Sequence, residues 1–236
     1  GESPKLNIPL KTSTASTKGI APATFARNSS ATYIDDSDLV QTAGIAVTRF
    51  QNGRYLCEPA ATNLFLQSGT PATQVITVVS GTIYTVQCYG SGSITLSGAG
   101  TGSVVEDAPV TFTASSTSLT CTVSGSLSRA QVETGTKATS YIPTTTSSVT
   151  RAADALHYAV GDVITQGQGS LYCEFVGGAF TGYTRRVLSI SDNTINNRIT
   201  IYIDSSGMIT VYSTNGGVVQ SASDKFTILS ELNKVL

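Results

Sequence analysis

The chain has 236 residues, a formal net charge of −1 and a pI near 5.8. Charged residues are 12% of it and hydrophobic ones 40%, so Ser and Thr hydroxyls rather than ions supply its polarity. Without a basic stripe it lacks the electrostatic footprint of a nucleic-acid binder, no apolar run approaches the ~20 residues of a membrane helix, and recurrent β-branched alternation excludes a disordered chain.

Residues 1–20, rich in Thr, Ser and Lys with two prolines, have no apolar period. They predict an extended N-terminal arm that is ordered only by lying on a partner or another subunit. Residues 21–69 read as an anchor β region of short strands and turns. Within it, Asn52-Gly53 stands between VTRF and RYLCE. Both residues tolerate positive φ, which predicts a tight hairpin. Asp35, Asp36 and Asp38 cluster in one loop. They fit Asx-turn chemistry, with a weak alternative as a calcium site, which would need further oxygen ligands.

Residues 70–143 contain six strand-length runs: QVITVVSG, TIYTVQCYG, GSITLSG, PVTFTASS, SLTCTVSG and LSRAQVET. They alternate apolar and polar residues between Gly/Ser turns, the spacing of a β-sandwich. Residues 144–154 read as a polar linker after Pro143. Residues 155–236 resume with GSLYCEFVG, TRRVLSISD, NRITIYIDSSGMITVYSTN, GVVQSAS and FTILSELNKVL. Ser205-Ser206-Gly207 marks a hairpin there, with Gly207 at the position needing positive φ. These strands leave a second sandwich incomplete, and its open edge predicts a chain that belongs to a longer protein or is completed by a neighbouring subunit.

Cys57, Cys88, Cys121 and Cys173 all lie in apolar stretches and none forms a CxxC pair. With a single histidine, His157, structural zinc is not predicted, nor any other cofactor. The cysteines read as buried, reduced thiols, with a Cys88–Cys121 bridge across one sandwich as the alternative. His157 has no nucleophile motif beside it and makes no triad. The Gly-rich stretches are turns and not a phosphate loop, because no Gly-Lys-Ser/Thr follows.

Three segments carry a resemblance. They are Arg27-Asn28-Ser29-Ser30-Ala31-Thr32-Tyr33-Ile34-Asp35, then Tyr55-Leu56-Cys57-Glu58-Pro59-Ala60-Ala61-Thr62-Asn63-Leu64, then Ala130-Gln131-Val132-Glu133 continuing through Ala138-Thr139-Ser140-Tyr141-Ile142-Pro143-Thr144 to Thr150-Arg151-Ala152-Ala153-Asp154. In order and spacing they resemble phage virion appendage proteins: tail fibres, tailspikes and head fibres. Ala60-Ala61 stands where that pattern usually has a basic residue. The resemblance implies an all-β fold: a jelly-roll-like β-sandwich similar to a carbohydrate-binding module, then an incomplete concanavalin-A- or laminin-G-like sandwich. It further implies a location on the virion, other virion structural proteins as partners of residues 1–20, host-surface glycans as ligands, and a homo-oligomer, a trimer being natural for a fibre.

Glu58 and Glu133 each follow an apolar run and precede a hydroxyl-rich turn. As a pair they suit acid and base in glycoside cleavage. As structural clamps they would accept hydrogen bonds from the N–H groups and hydroxyls of the adjoining loops. The absence of Trp and of clustered aromatics favours the clamp. Val132 is expected in the core, with Gln131 and Glu133 on the opposite strand face.

The densest polar cluster is Arg185, Arg186, Asp192, Asn193, Asn196, Asn197 and Arg198, on strand ends and loops, with Tyr183 nearby. Guanidinium and amide groups suit sugar hydroxyls, and Tyr183 suits a sugar face, so these are the expected glycan-binding residues. Tyr84, Tyr89, Tyr202 and Tyr212 lie within strands and read as sheet pairs. The functional expectation is a non-enzymatic appendage that docks through its arm and displays glycan-binding sandwiches. The alternatives are a capsid decoration or tail adaptor that binds no sugar, and a fragment of a polysaccharide depolymerase.

Overall fold

Short strands come first. The computed structural model describes residues 7–15, 23–159, 173–175, 185–206, 208–227 and 233–235. They include β1 (Thr24–Ala26), β2 (Ala31–Ile34), β3 (Val40–Ala43), β4 (Phe50–Gln51), β5 (Arg54–Tyr55) and β6 (Ala61–Asn63). β2 pairs with β3 and β4 with β5, all antiparallel. The β4–β5 turn is Asn52-Gly53, at φ of 51° and 66°. Two consecutive left-handed residues match the twist of the flanking strands, which is why this dipeptide made the hairpin legible.

The central strands are β7 (Gln74–Thr77), β8 (Ile83–Tyr89), β9 (Gly92–Gly98), β10 (Gly102–Val104), β11 (Val110–Thr113), β12 (Ser118–Gly125) and β13 (Arg129–Thr134). They form two sheets, ordered β10-β9-β12-β7 and β11-β8-β13. Apart from the β9–β10 hairpin, successive strands switch sheets, which is jelly-roll connectivity with its first strand position open. That position, beside β13, is taken by residues 64–68: Leu64 N–H donates to the Val132 carbonyl (2.8 Å) and Ala130 N–H to that of Ser68 (3.0 Å). The alternating side chains of both sheets meet in one core that includes Phe65, Tyr84, Val86, Ile94, Leu119 and Val132. Each fully buried side chain of this kind is worth about 1.5–3 kcal/mol.

Two expectations change and one alternative falls away. β10 was read as a glycine-rich turn, but Val104 is wholly buried and anchors it as a strand. Cys88 and Cys121 lie on opposite sheets, both in the core and both free, so no bridge joins them. Cys57 is exposed rather than buried.

Residues 144–154 are also no simple linker. β14 (Val149–Arg151) pairs with β6, and β15 (Ala155–His157) pairs with β1. The polar run therefore returns to the anchor strands, and the chain divides into compact units at 166/167. The described part of the arm lies on its own chain: Tyr55 N–H donates to the Leu10 carbonyl (2.8 Å) and the Tyr158 hydroxyl to that of Thr14 (2.7 Å).

In the second unit, β16 (Cys173–Phe175) pairs with β21 (Asn233–Val235), while β17 (Arg185–Ser191), β18 (Arg198–Ile203), β19 (Met208–Asn215) and β20 (Val218–Thr227) form an antiparallel meander. One face of the meander carries Ile201, Ile203 and Ile209, against which Cys173, Phe175, Val187 and Val211 pack. The β18–β19 hairpin forms; Gly207 lies outside the described residues, but Asp204 Oδ1 accepts from Ser206 N–H (2.9 Å) and Met208 N–H (3.0 Å) to shape the turn. The all-β class holds throughout, with no helix among the described residues.

Candidate functional site

The strand pairings of the first unit bring charges together. In the β1–β15 ladder Ala26 faces Ala155, so Arg27 and Asp154 are the next opposed residues. In the β4–β5 hairpin Phe50 faces Tyr55, and Leu56 N–H donates to the Arg49 carbonyl (2.9 Å) just outside it, which brings Arg49 near Glu58. Arg151 closes β14 opposite Ala61. The result is a buried ion network. Arg27 Nη1 meets Asp154 Oδ1 at 2.9 Å and Arg49 Nη2 meets Asp154 Oδ2 at 2.6 Å. Arg49 Nη1 and Arg151 Nη1 meet Glu58 Oε2 at 2.9 and 2.6 Å.

Glu58 and Glu133 hold consecutive residues in the same way. Glu133 Oε1 accepts from Thr139 N–H (2.6 Å) and Oε2 from the Thr139 hydroxyl (2.7 Å). Glu58 Oε1 accepts from Ser140 N–H (2.7 Å) and Oε2 from the Ser140 hydroxyl (2.6 Å). The Ser140 hydroxyl in turn accepts from Arg49 (2.8 Å) and Arg151 (2.7 Å). Gln131 completes the return of the chain, accepting from Ile142 N–H and donating to Glu133 Oε1, each at 2.7 Å. Residues 139–142 are thus laced to the outer face of β13 by side chains. This explains why Gln131 and Glu133 are as buried as Val132 on the core face.

Asn63 works likewise on the other edge of β13. Its carbonyl accepts from Phe65 and Val132 N–H (both 3.0 Å) and its amide donates to the Ile142 carbonyl (2.8 Å). Thr32 Oγ1 donates to the Tyr141 carbonyl at 2.5 Å, tying β2 to the same segment. Arg129 lies over the rings of Tyr89 (4.3 Å) and Tyr141 (5.8 Å), a cation–π stack at the end of the sheet.

Three guanidiniums (Arg27, Arg49, Arg151) stand against three carboxylates (Glu58, Asp154, Glu133), so formal charges cancel when all are ionised. Burial lowers the Arg151 pKa, with Glu58 opposing. Burial raises that of Glu133, with the Thr139 N–H and the Gln131 amide opposing. Tyr55, half-buried beside the network, is raised by burial first and then by nearby negative charge. Every oxygen of Glu58 and Asp154 already accepts a donor. Chemically the arrangement is a clamp that fixes backbone segments 27–32, 49–63 and 139–154 to one another.

Sequence reading singled out Glu58, Glu133 and the hydroxyl-rich run after Glu133, but missed Arg27, Arg49, Arg151 and Asp154 as their partners. The signal was present: in a chain with few ions, each of the three motif segments carries one or more charges.

The Asp35–Asp38 loop makes the Asx-type bonds read from its sequence. Asp35 Oδ1 accepts from Ser37 and Leu39 N–H (2.9 Å each) and Oδ2 from Gln41 (2.7 Å), bonds that lower its pKa. Asp36 and Asp38 are exposed, and among the described residues no group of three His, Cys, Asp or Glu converges. His157 is exposed on β15 opposite Thr24.

The expected glycan-binding residues separate into two sets. Asp192, Asn193, Asn196 and Asn197 form a self-bonded loop: Asp192 accepts from Thr194 N–H (2.9 Å) and from the Asn197 amide (2.7 Å), and Asn197 Oδ1 accepts from Gly216 N–H (2.8 Å). Asn193 takes φ of 70°. Arg186 and Arg198 instead face a cleft of about 290 Å³ with Thr200, Tyr202 and Tyr212. Arg185 opens β17, and Tyr183 lies outside the described residues. Tyr202 and Tyr212, read as ordinary sheet residues, are the aromatic walls of that cleft. No protein-family model, curated protein or solved structure matches the chain.

Proposed function

We propose that this chain is a phage virion appendage protein, a component of a tail fibre or head fibre, that fastens to other virion proteins through residues 1–20 and displays its β-sandwich units to host-surface glycans. One observation supports it above the others. The three segments that carry the resemblance are far apart in sequence, yet their polar residues meet in a single buried network. Their shared pattern therefore has a physical reason, the bracing of an anchor region onto a jelly roll, which suits a part that must hold its geometry while mounted on a particle. Display on a particle also multiplies weak sugar contacts through avidity.

The test is biochemical. Peptides of this chain should appear in purified phage particles by mass spectrometry. An antibody against the jelly roll should mark the head or the tail in electron micrographs, and deletion of residues 1–20 should release the chain from particles. Particles that lack the chain would overturn the proposal.

A further inference from the structure

We infer that the cleft on the β17–β19 face binds a carboxylate-bearing sugar, with Arg186 and Arg198 as its anion clamp and Tyr202 and Tyr212 as its platforms; this rests on the glycan-display reading above and specifies its ligand. Strand register puts Arg186, Tyr202 and Thr210 on one rung, Thr200 and Tyr212 on the next, and Arg198 and Thr214 on a third. All lie on the face opposite the Ile201–Ile203–Ile209 core. The two rings stand at 67° with centroids 6.4 Å apart, and Arg198 lies over Tyr212 at 5.5 Å. An aromatic corner beside a row of hydroxyls offers both a ring face for the C–H side of a pyranose and acceptors for its hydroxyls.

The charge in the cleft selects among sugars. Every ion pair among the described residues belongs to Arg27, Arg49 or Arg151, so neither Arg186 nor Arg198 has a carboxylate partner there. Arg198 Nε is buried without a hydrogen-bond partner, as is the hydroxyl of Thr210, a residue only 6% exposed. A buried polar atom left unpaired costs free energy, and here two of them share the face whose cleft carries two guanidiniums with no carboxylate partner among the described residues. A planar carboxylate accepts two parallel N–H bonds from a guanidinium. A neutral hexose would bring no counter-charge to either guanidinium.

The experiment uses the full chain, titrated calorimetrically with a glucuronate-containing oligosaccharide and with the same oligosaccharide after reduction of its carboxyl groups. Binding should be at least tenfold tighter for the acidic form and should weaken with added salt. Arg198→Gln and Tyr212→Ala should each weaken it at least tenfold. Arg186 is exposed, so Arg186→Gln leaves packing intact and should lower acidic-sugar affinity several-fold while circular dichroism stays unchanged. Equal affinity for both oligosaccharides, or acidic-sugar binding unmoved by Arg186→Gln, would overturn the anion clamp while leaving glycan display standing. Failure of the chain to bind either oligosaccharide, or any member of a broad glycan panel, would overturn both.

Discussion

Asp154 and Glu133 are both buried carboxylates, and they should respond oppositely to amide replacement. Asp154 neutralises two guanidiniums, Arg27 and Arg49, whose side chains are fully buried. Removing one partner of such a set leaves uncompensated charge in low dielectric, at a cost of about 3–5 kcal/mol. Asp154→Asn should therefore lower the urea midpoint of the first unit by an amount matching that loss, whereas Asp36→Asn on the exposed turn should leave it in place. Glu133 differs because burial, its dominant influence, raises its pKa above the ordinary carboxylate value. A raised folded-state pKa means that its contribution is whole at pH below the unfolded value, about 4.3, and is lost as pH rises through the folded one. In Glu133→Gln the amide oxygen can still accept from Thr139 N–H and Gln131, and its nitrogen can donate to the Thr139 hydroxyl. The variant should match the parent near pH 4, gain on it as pH rises through the folded value, and hold a constant advantage above it. Urea midpoints at the two pH values check this, and a variant that loses ground as pH rises would contradict it.

At the scale of elements, alternation made most strands legible because each buries one face against the core. Ile94, Leu96, Leu119 and Cys121 are buried, while Thr95 between the first two and Thr122 after the last are exposed, the period of two expected of half-buried strands. The same rule misjudged β8 and β13, where Thr85, Gln87, Gln131 and Glu133 are buried as well. Periodicity records which residues share a face. It carries no record of what covers the polar one, and here the cover is the loop at 139–142, held by side-chain bonds that leave no trace in hydropathy. The run at 144–154 was taken for a linker for the same reason. Its Thr and Ser residues are polar, but Arg151 is buried by an ion network whose other members lie up to 124 residues away in sequence, the separation of Arg27 from Arg151. Locally encoded elements, such as the Asn52-Gly53 hairpin, needed no such distant partner. β10 escaped because a three-residue strand that opens on Gly102 has too few side chains to show a period. In the second unit the cluster of charged and amide residues spans β17, β18 and the loop between them. Only the register of β17–β19 divided it into a turn that bonds to itself and a cleft walled by tyrosines.

For the whole molecule, the two units differ in what holds them. The first has a core cluster of fifteen buried residues spanning both sheets of the jelly roll, braced further by the ion network. Among the described residues, the second has three buried isoleucines with four partly buried neighbours on one sheet face. Stability follows the apolar area removed from water, at about 25 cal/mol per Å², and among the described residues the first core outweighs the second several-fold. No residue is shared between the two clusters, so opening one need not open the other. Native-state hydrogen exchange should then resolve two cooperative units. Amides of β8, β9, β12 and β13 should exchange only through the largest opening, and those of β18 and β19 through a smaller one at lower urea. Ligand provides the control, because a molecule that binds only the native second unit raises its opening free energy by RT ln(1 + [L]/Kd) and leaves the jelly roll unmoved. If both sets of amides instead exchanged through one opening with a common urea dependence, the chain would be a single cooperative body.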